Sequence, residues 1–438
     1  MTQNDRQLGK SESQSRAIGF WQCWAISVGI MIGSGIFLLP SVLAPYGSIS
    51  LLGWIATSLG VICLACILGY LSARRSAVGG PYAYTREAFG DLPGFLIGWG
   101  YWLSVTLAIT AVSLAFAGYL GHFIPALAQN SLGQAGVALA LIWTFTAVNI
   151  RGVSEAAWVQ FVMTILKLIP LCVIIALGVF AGSVDTLPDY NPQKLSVGQA
   201  VATTALLTMW AFIGVEAAVI PASDVDNAKR TLPRAVVSGA VTVALIYIFA
   251  TFAVMMLVPS DVLVTSEAPF VEAARRLGPW GESFLALGAL LATAGSLNGN
   301  ILVAGQMPMA VALDRLAPPV FARRNAGRAP VFSLLMSSLI ASVLLVFHLN
   351  DSLVNSFTFL ITISTLCVLA PYGFSALAAL KWSAKSTGPA AKVWSGVALV
   401  TVGYMILAAS GSGGSVLMWG GLLMALGVPL FYMGRQTD

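Results

Sequence analysis

The sequence predicts an all-α membrane protein with twelve transmembrane helices. Of its 438 residues, 58% are hydrophobic and only 9% are charged, whereas a soluble globular domain has roughly 25% charged residues. The mean hydropathy of +0.87 points the same way. So few charges cannot cover a water-facing surface of this size, and a helix that crosses a bilayer needs about 20 apolar residues. Composition therefore excludes a soluble enzyme or binding domain.

Apolar runs separated by polar residues, glycine or proline divide the chain into twelve spans, numbered here in chain order. The predicted spans are 18–44, 51–72, 93–122, 133–150, 157–182, 199–222, 235–259, 283–311, 331–349, 353–380, 391–410 and 414–433. An even number of spans places both termini on the same side. We expect a single transmembrane domain at 17–433, between an N-terminal tail at 1–16 and a C-terminal end at 434–438.

The distribution of lysine and arginine predicts the orientation. Eighteen of the 22 basic residues fall in the termini and in loops on their side, three fall on the opposite side, and Lys167 lies inside span 5. Because cytoplasmic loops are rich in lysine and arginine, we expect both termini to be cytoplasmic in a multi-pass protein of the cytoplasmic (inner) membrane. The basic residues are scattered between apolar runs, so they orient a membrane protein and do not indicate nucleic-acid binding.

Two spans contain residues that disfavour a continuous helix at mid-membrane. Span 1 contains Gly29-Ile30-Met31-Ile32-Gly33-Ser34-Gly35, and span 6 contains Trp210-Ala211-Phe212-Ile213-Gly214-Val215-Glu216. Interrupted helices at matching positions of two halves indicate the binding site of a transporter, since each break frees backbone groups. Freed N–H groups attract a carboxylate and freed carbonyls attract an ammonium group, and a free amino acid has both. The alternative for Gly29 and Gly33 is close packing of helices; Ser34 and the paired break in span 6 favour binding.

The chain resembles the amino acid–polyamine–organocation transporters, and among them the bacterial arginine/agmatine and putrescine/ornithine antiporters. The matching stretches are Gly33–Pro40, Gly79–Tyr84 with Phe89-Gly90, Trp210–Glu216, Pro318–Arg323 and Pro371-Tyr372. The resemblance implies a LeuT-type fold with two inverted five-helix repeats, at about 17–182 and 199–380, and two extra helices at 391–433. It also implies alternating access, in which the bundle of spans 1, 2, 6 and 7 rocks against the other spans. Homodimers occur among the relatives.

The same resemblance implies roles for individual residues. Ser34 and Gly35 would bind the substrate carboxylate, and carbonyls near Gly29, Ile30, Trp210 and Ile213 would bind its ammonium group. Trp210 would close over the substrate, Tyr101 and Tyr372 occupy gate positions, and Ser364 occupies a pocket-facing position.

Two departures from the cation-specific antiporters favour a neutral amino acid substrate. Ile109 replaces an asparagine near the distal cationic group of the substrate, and Asn300 replaces a tryptophan that stacks on a guanidinium group. The loss of that ring removes a cation–π contact of roughly 0.5–2 kcal/mol. The alternative is a cationic amino acid or polyamine antiporter, as the overall similarity suggests.

Lys167 and Glu216 are ionisable residues inside spans, and such residues are functional by default. Lys167 resembles a lysine of proton-coupled and neutral amino acid transporters that braces span 5 against spans 1 and 8. It releases a proton during transport, or remains a permanent charge bonded to span 1, or extends its ammonium group to the membrane interface. Glu216 matches a glutamate implicated in proton sensing, and the alternative is a structural hydrogen bond.

The expected function is secondary active transport of an amino acid, by exchange or proton symport. We expect no enzymatic activity, because a nucleophile–base pair or metal-binding motif within the spans is missing. We also expect neither a metal nor a cofactor, and the partners are an amino acid, protons where coupling occurs, and the lipid bilayer.

Overall fold

The computed structural model describes residues 19–74, 79–128, 130–151, 156–219, 225, 227–325, 329–347 and 353–434. Within these ranges eleven helices are long and apolar enough to cross a membrane, and Val331–Phe347 is a shorter apolar helix at the position of span 9. The prediction of an all-helical, twelve-span membrane protein is confirmed. The predicted tail at 1–16 and the last residues at 435–438 lie outside the described part of the chain.

The observed spans follow the predicted ones closely. They are Phe20–Tyr46, Ser50–Arg74, Asp91–Leu120, Ser131–Arg151, Ala156–Ala181, Val197–Val219, Ala228–Leu257, Pro279–Leu313, Val331–Phe347, Leu353–Ser383, Pro389–Ser410 and Val416–Gly434. Span 8 is longer than predicted because it begins at Pro279, which takes the first helical position after Gly278. Large apolar side chains on the outer surface, such as Phe180 and Met433, are exposed and suit contact with lipid.

Spans 1 and 6 are interrupted, as the sequence predicts. Span 1 consists of the helices Phe20–Met31 and Ser34–Leu43, with Ile32 and Gly33 between them. Span 6 begins as the α-helix Val197–Met209 and continues as tighter 3₁₀ turns on either side of Gly214. Backbone groups of an intact helix bond to one another, whereas these two interruptions leave such groups free at mid-membrane.

The packing of the spans supports the two inverted repeats. Span 3 packs against span 10, and span 8 packs against span 5; span 1 packs against span 7, and span 6 against span 2. Spans 3 and 4 are in contact, and so are spans 8 and 9. The contacts form pairs: 3 with 10 corresponds to 8 with 5, 1 with 7 corresponds to 6 with 2, and 3 with 4 corresponds to 8 with 9. In each pair the span numbers differ by five. A shift by five spans reverses the direction of crossing, which is the relationship expected of inverted repeats.

Short helices flank the spans on both sides. We call the side on which the chain enters span 1 and leaves span 12 the terminal side, and the opposite side the far side. Pro81–Phe89 connects spans 2 and 3 on the terminal side. Ser260–Thr265 and Pro269–Ala274 connect spans 7 and 8 on the far side, where both pack against the second half of span 1.

Candidate functional site

The break in span 1 presents the start of a helix to the protein interior. The first half of the span ends where the Ile32 N–H donates to the Val28 carbonyl, and the second half begins at Ser34. The first N–H groups of a helix have no acceptor within it, and the helix dipole makes this end positive. Ser34 lies at this end and is 1% exposed, and its hydroxyl has no hydrogen-bond partner among the residues that the structure describes. This end of the half-helix is therefore suited to bind an anionic group.

The breaks in spans 1 and 6 meet each other. Gly214 has a φ of +107°, and a Cβ atom on it would lie 2.4 Å from the side chain of Ile30. A Cβ atom on Gly35 would lie 3.0 Å from the Cα atom of Ala211. Glycine is therefore needed at both positions, at Gly214 for backbone conformation as well as space. Residues predicted to bind the substrate from two distant parts of the sequence lie side by side.

Lys167 connects span 5 to the break in span 1. Its side chain is completely buried, and its ammonium group donates to the carbonyls of Gly29 at 2.9 Å and Ile32 at 3.3 Å. A Cβ atom on Gly295 of span 8 would lie 3.1 Å from the same nitrogen, so span 8 packs closely here as well. In this conformation the Gly29 carbonyl, expected to bind a substrate ammonium group, already accepts a hydrogen bond from Lys167.

Tyr247 of span 7 contacts both breaks, which sequence reasoning did not find. Its buried hydroxyl lies 2.6 Å from the carbonyl oxygen of Met31 in span 1 and 3.2 Å from that of Ala211 in span 6. The signal was present in the sequence: a tyrosine in an apolar span needs a hydrogen-bond partner for its hydroxyl. Among the carbonyls of the span 1 break, this arrangement leaves that of Ile30 without a donor in the described part of the chain.

Glu216 is held by the two tyrosines predicted as gates. The hydroxyls of Tyr101 in span 3 and Tyr372 in span 10 donate to its two carboxylate oxygens, each at 2.5 Å. The Gly214 N–H donates to the same carboxylate at 3.2 Å. All three side chains are nearly or completely buried. The cluster therefore joins spans 3, 6 and 10 on the terminal side of the breaks.

Trp210 lies on the far side of the breaks. Its ring meets Phe357 of span 10 edge-on, with ring centroids 6.3 Å apart, and it is 6% exposed. Its closure over a substrate stays a prediction. Ser364, predicted to face the pocket, is completely buried and donates to the Ser104 carbonyl at 2.7 Å. Its hydroxyl therefore already joins span 10 to span 3.

Ile109 and Asn300, the two predicted specificity residues, have different surroundings. Ile109 is completely buried in the apolar interior, so it offers no polar group to a substrate. Asn300 is half-buried, and its amide donates to the Ser296 carbonyl one turn earlier at 3.0 Å. A Cβ atom on the adjacent Gly299 would lie 3.6 Å from Ile30, which places this part of span 8 beside the break in span 1.

An ionic cluster joins the short helix Pro81–Phe89 to spans 3 and 8 on the terminal side. Arg86 bonds to Asp91 at 2.9 Å and to Asp314 at 2.8 Å, and the Tyr82 hydroxyl donates to Asp314 at 2.6 Å. Burial raises the pKa of Tyr82, and its hydrogen bond to Asp314 raises this pKa further. Tyr82 therefore remains a neutral hydrogen-bond donor, and the cluster stabilises the contact between spans 3 and 8.

A second polar group lies on the far side, in the connection between spans 7 and 8. Glu267 accepts a hydrogen bond from the Gln134 amide of span 4 at 3.2 Å, and the Ser41 hydroxyl of span 1 donates to the Ser266 carbonyl at 2.8 Å. Burial raises the pKa of Glu267, and the hydrogen bond from Gln134 partly offsets this effect. The connection therefore links spans 1 and 4 above the breaks.

A surface cavity of about 460 Å³ lies on the far side, between the span 5–span 6 connection and the end of span 7. Its lining includes Asp185, Asp189 and Pro259. It shares no residue with the two breaks and is therefore separate from the candidate site.

Comparisons with known proteins agree with this architecture. The sequence profile described as "Amino acid permease" matches residues 18–431. A Bacillus subtilis protein named putative arginine/ornithine antiporter is 32% identical over 400 residues, which cover 84% of this chain and 85% of the relative. The arginine/ornithine antiporter of Pseudomonas aeruginosa is 30% identical, with coverage of 84% and 79%. The cadaverine/lysine antiporter of Escherichia coli K12 is 33% identical, with 83% of each chain covered.

Proposed function

This chain belongs to the amino acid permease family, and from this premise we propose that it is an antiporter that exchanges amino compounds across the cytoplasmic membrane. It is a transporter rather than an enzyme, since its relatives are named as antiporters. The substrate binds where the breaks in spans 1 and 6 meet. Counter-substrate on the opposite side of the membrane drives the exchange.

The observation that carries this proposal is the Ser34 hydroxyl, which has no hydrogen-bond partner in the part of the chain that the structure describes. It is buried beside the free N–H groups at the start of the helix Ser34–Leu43. A buried hydroxyl without a partner costs free energy unless a ligand supplies one. A carboxylate accepts hydrogen bonds from both the hydroxyl and the N–H groups, and its charge suits the positive helix end. The α-carboxylate of an amino acid has this chemistry.

The ammonium group of the substrate binds on the other side of the same break. The Ile30 carbonyl is the remaining acceptor there, because Lys167 and Tyr247 already donate to the carbonyls around it. Ile213 lies in the facing break of span 6 and supplies a second carbonyl. Trp210 then covers the bound amino acid from the far side.

The leading substrate class is cationic amino acids and their amines. This choice rests on the relatives, whose names specify arginine, ornithine, lysine and cadaverine. It reverses the preference for neutral amino acids drawn from individual side chains.

A neutral amino acid exchanger is the second candidate, and two residues favour it. Ile109 is buried and apolar, and the Asn300 amide bonds to its own helix. Neither residue provides an anion or an aromatic face for a distal cationic group. The permanent charge that Lys167 would place beside the site also disfavours a second cation.

Lys167 and Glu216 link substrate binding to movement of the spans in this proposal. Lys167 transmits changes in the span 1 break to span 5, and Glu216 holds the terminal side closed through Tyr101 and Tyr372. Both termini face the cytoplasm, because the loops on their side contain most of the lysine and arginine residues. A homodimer stays an expectation from the resemblance, and light scattering of the purified protein tests it.

Counterflow in liposomes tests the proposal. Purified protein is reconstituted with unlabelled arginine or leucine inside, and uptake of the same labelled amino acid is measured against competition by other amino acids, putrescine and agmatine. We expect accumulation of label, with arginine and lysine as stronger competitors than alanine or leucine. The reverse order of competition would select the neutral candidate. Uptake without any internal amino compound would contradict antiport.

A further inference from the structure

Tyr119, near the far end of span 3, bonds to the second half of span 1. Its hydroxyl donates to the backbone carbonyl of Phe37 at 2.6 Å, and the two rings pack edge-on with centroids 5.9 Å apart. Both side chains are completely buried. Phe37 belongs to the half-helix that begins at Ser34, so this hydrogen bond attaches the carboxylate-binding end of span 1 to span 3.

Tyr119 has a counterpart on the same helix. Tyr101 also lies on span 3, and its hydroxyl donates to Glu216 of span 6. The two tyrosines are eighteen residues apart in an unbroken helix, which is five full turns, so they lie on the same face about 27 Å apart along the axis. One bonds to the broken span 1 on the far side, and the other bonds to the broken span 6 on the terminal side.

From this arrangement we propose that Tyr119 is the far-side latch of the transport cycle and that Tyr101 is its terminal-side equivalent. The inference rests on the proposed antiport function. Alternating access requires spans 1 and 6 to move relative to span 3 on one side at a time. Opening to the far side breaks the hydrogen bond between Tyr119 and Phe37, while opening to the terminal side breaks the one between Tyr101 and Glu216. With both bonds formed, the structure represents a state closed on both sides.

Span 1 contains a weak point next to this latch. Pro40 lies inside the half-helix and has no N–H to donate to the carbonyl of Ile36, four residues earlier. The helix therefore lacks one internal hydrogen bond immediately beside Phe37. When Tyr119 releases the Phe37 carbonyl, the half-helix can bend at this position away from span 3. The acceptor is a backbone atom, so the latch depends on the tyrosine hydroxyl and not on the identity of residue 37.

Cysteine labelling tests the latch without substrate. Two single-cysteine reporters, Ala115→Cys and Val105→Cys, are placed in a background in which the five native cysteines are replaced. Both positions are buried on span 3, one turn towards the centre from Tyr119 and Tyr101 respectively. The rate of reaction with a polar maleimide is measured in lipid nanodiscs, where both faces are accessible. The matched control is Tyr84→Phe, because the buried Tyr84 hydroxyl has no hydrogen-bond partner within the described ranges.

We expect Tyr119→Phe to increase labelling at position 115 about two- to tenfold, the range that follows from losing one hydrogen bond, with no increase at position 105. Tyr101→Phe should increase labelling at position 105 and not at position 115, and Tyr84→Phe should change neither rate. A Tyr119→Phe protein that labels at 115 no faster than Tyr84→Phe would overturn the latch, and so would an equal increase at both reporters.

If the wild type exchanges no amino compound but the labelling pattern appears, the proposed function fails and the latch stands. If exchange is normal but the expected labelling at positions 115 and 105 is not seen, only the latch is contradicted.

Discussion

The ammonium nitrogen of Lys167 lies 2.9 Å from the carbonyl oxygen of Gly29, which joins span 5 to the break in span 1. The same nitrogen lies 3.3 Å from the Ile32 carbonyl, so the lysine bonds both to the last turn of the first half-helix and to the first residue of the break. A buried charge is tolerated only when it is paired or hydrogen-bonded. Lys167 and the break therefore stabilise each other: the carbonyls solvate the charge, and the charge keeps the backbone unwound.

Replacing Lys167 with methionine should therefore slow exchange without unfolding the protein. Loss of hydrogen bonds to a charged group should lower the exchange rate about ten- to hundredfold. We expect the reduction to be similar from mildly acidic to mildly alkaline pH, because the lysine acts as a permanent brace. The measurement is counterflow at several pH values, with Lys167→Arg as the variant that keeps the charge. Loss of the wild-type pH dependence in Lys167→Met would show instead that Lys167 takes part in proton coupling.

Ser34→Ala should weaken binding of amino acids but not of the corresponding decarboxylated amines. Removal of one hydroxyl donor to a carboxylate should raise the dissociation constant about ten- to hundredfold, while an amine without a carboxylate loses no contact. The measurement compares competition by arginine with competition by agmatine in the same assay. Ser58→Ala is the matched control, because the Ser58 hydroxyl is also buried and has no partner among the described residues. Equal loss of affinity for both ligands would contradict the carboxylate role, as would normal amino acid binding by Ser34→Leu.

Tyr247→Phe should lower substrate affinity because it releases the carbonyls of Met31 and Ala211 in the two breaks. The ring remains, with its contacts to Trp54 and Phe212, each at a centroid distance of 5.3 Å. Loss of the hydroxyl should reduce affinity about two- to tenfold. The measurement is the increase in melting temperature on adding substrate.

Tyr404→Phe provides the comparison for Tyr247→Phe. The Tyr404 hydroxyl is also buried, and it donates to Thr57 at 3.0 Å and to the Ala205 carbonyl at 3.4 Å, not to the carbonyls of Met31 and Ala211. Both substitutions should lower the melting temperature of the unliganded protein, whereas only Tyr247→Phe should reduce the response to substrate. Equal responses in the two variants would rule out a role for Tyr247 in arranging the site.

Glu267→Gln should stabilise the protein at neutral pH. Burial raises the pKa of Glu267 above its ordinary value of 4.5, so the folded protein binds this proton more tightly than the unfolded chain does. The folded state therefore loses stability relative to the unfolded state as pH rises from the ordinary pKa through the raised one. A glutamine at this position does not titrate, so the variant does not lose stability in this pH range, and its side-chain oxygen can still accept a hydrogen bond from Gln134.

Melting temperatures of the wild type and Glu267→Gln, measured as a function of pH, check this sign. The melting temperature of the variant should rise relative to that of the wild type as pH rises. The two melting temperatures should become equal below the ordinary pKa of glutamate. Asp261→Asn, on the exposed surface of the same connection, serves as the control. A wild type that gains stability over Glu267→Gln as pH rises would mean that the carboxylate is better stabilised in the folded protein than in water.

Several features of the site were predictable from local sequence. The glycines around Ser34 and the Gly214 segment predicted both breaks, because a glycine-rich stretch in an apolar span disfavours a continuous helix. Lys167 and Glu216 stood out because an ionisable residue inside a span needs a partner. The substrate class stays a proposal: Ile109 and Asn300 indicate neutral amino acids, whereas the names of the relatives favour cationic ones. Two positions describe only part of a pocket that many residues form together.

The sequence by itself determined the number of spans, their order and the places where two of them break. These properties depend on residues close together in the chain, through the length of apolar runs and the backbone freedom of glycine. Only the tertiary structure decided that Glu216 bonds to Tyr101 and Tyr372, that Tyr247 contacts both breaks, and that Lys167 occupies the Gly29 carbonyl. Each of these contacts joins residues that are distant in sequence, and its formation depends on how far each helix is rotated and shifted against its neighbours. Apolar side chains all around a buried helix do not specify that rotation, so the packing of the whole bundle has to set it.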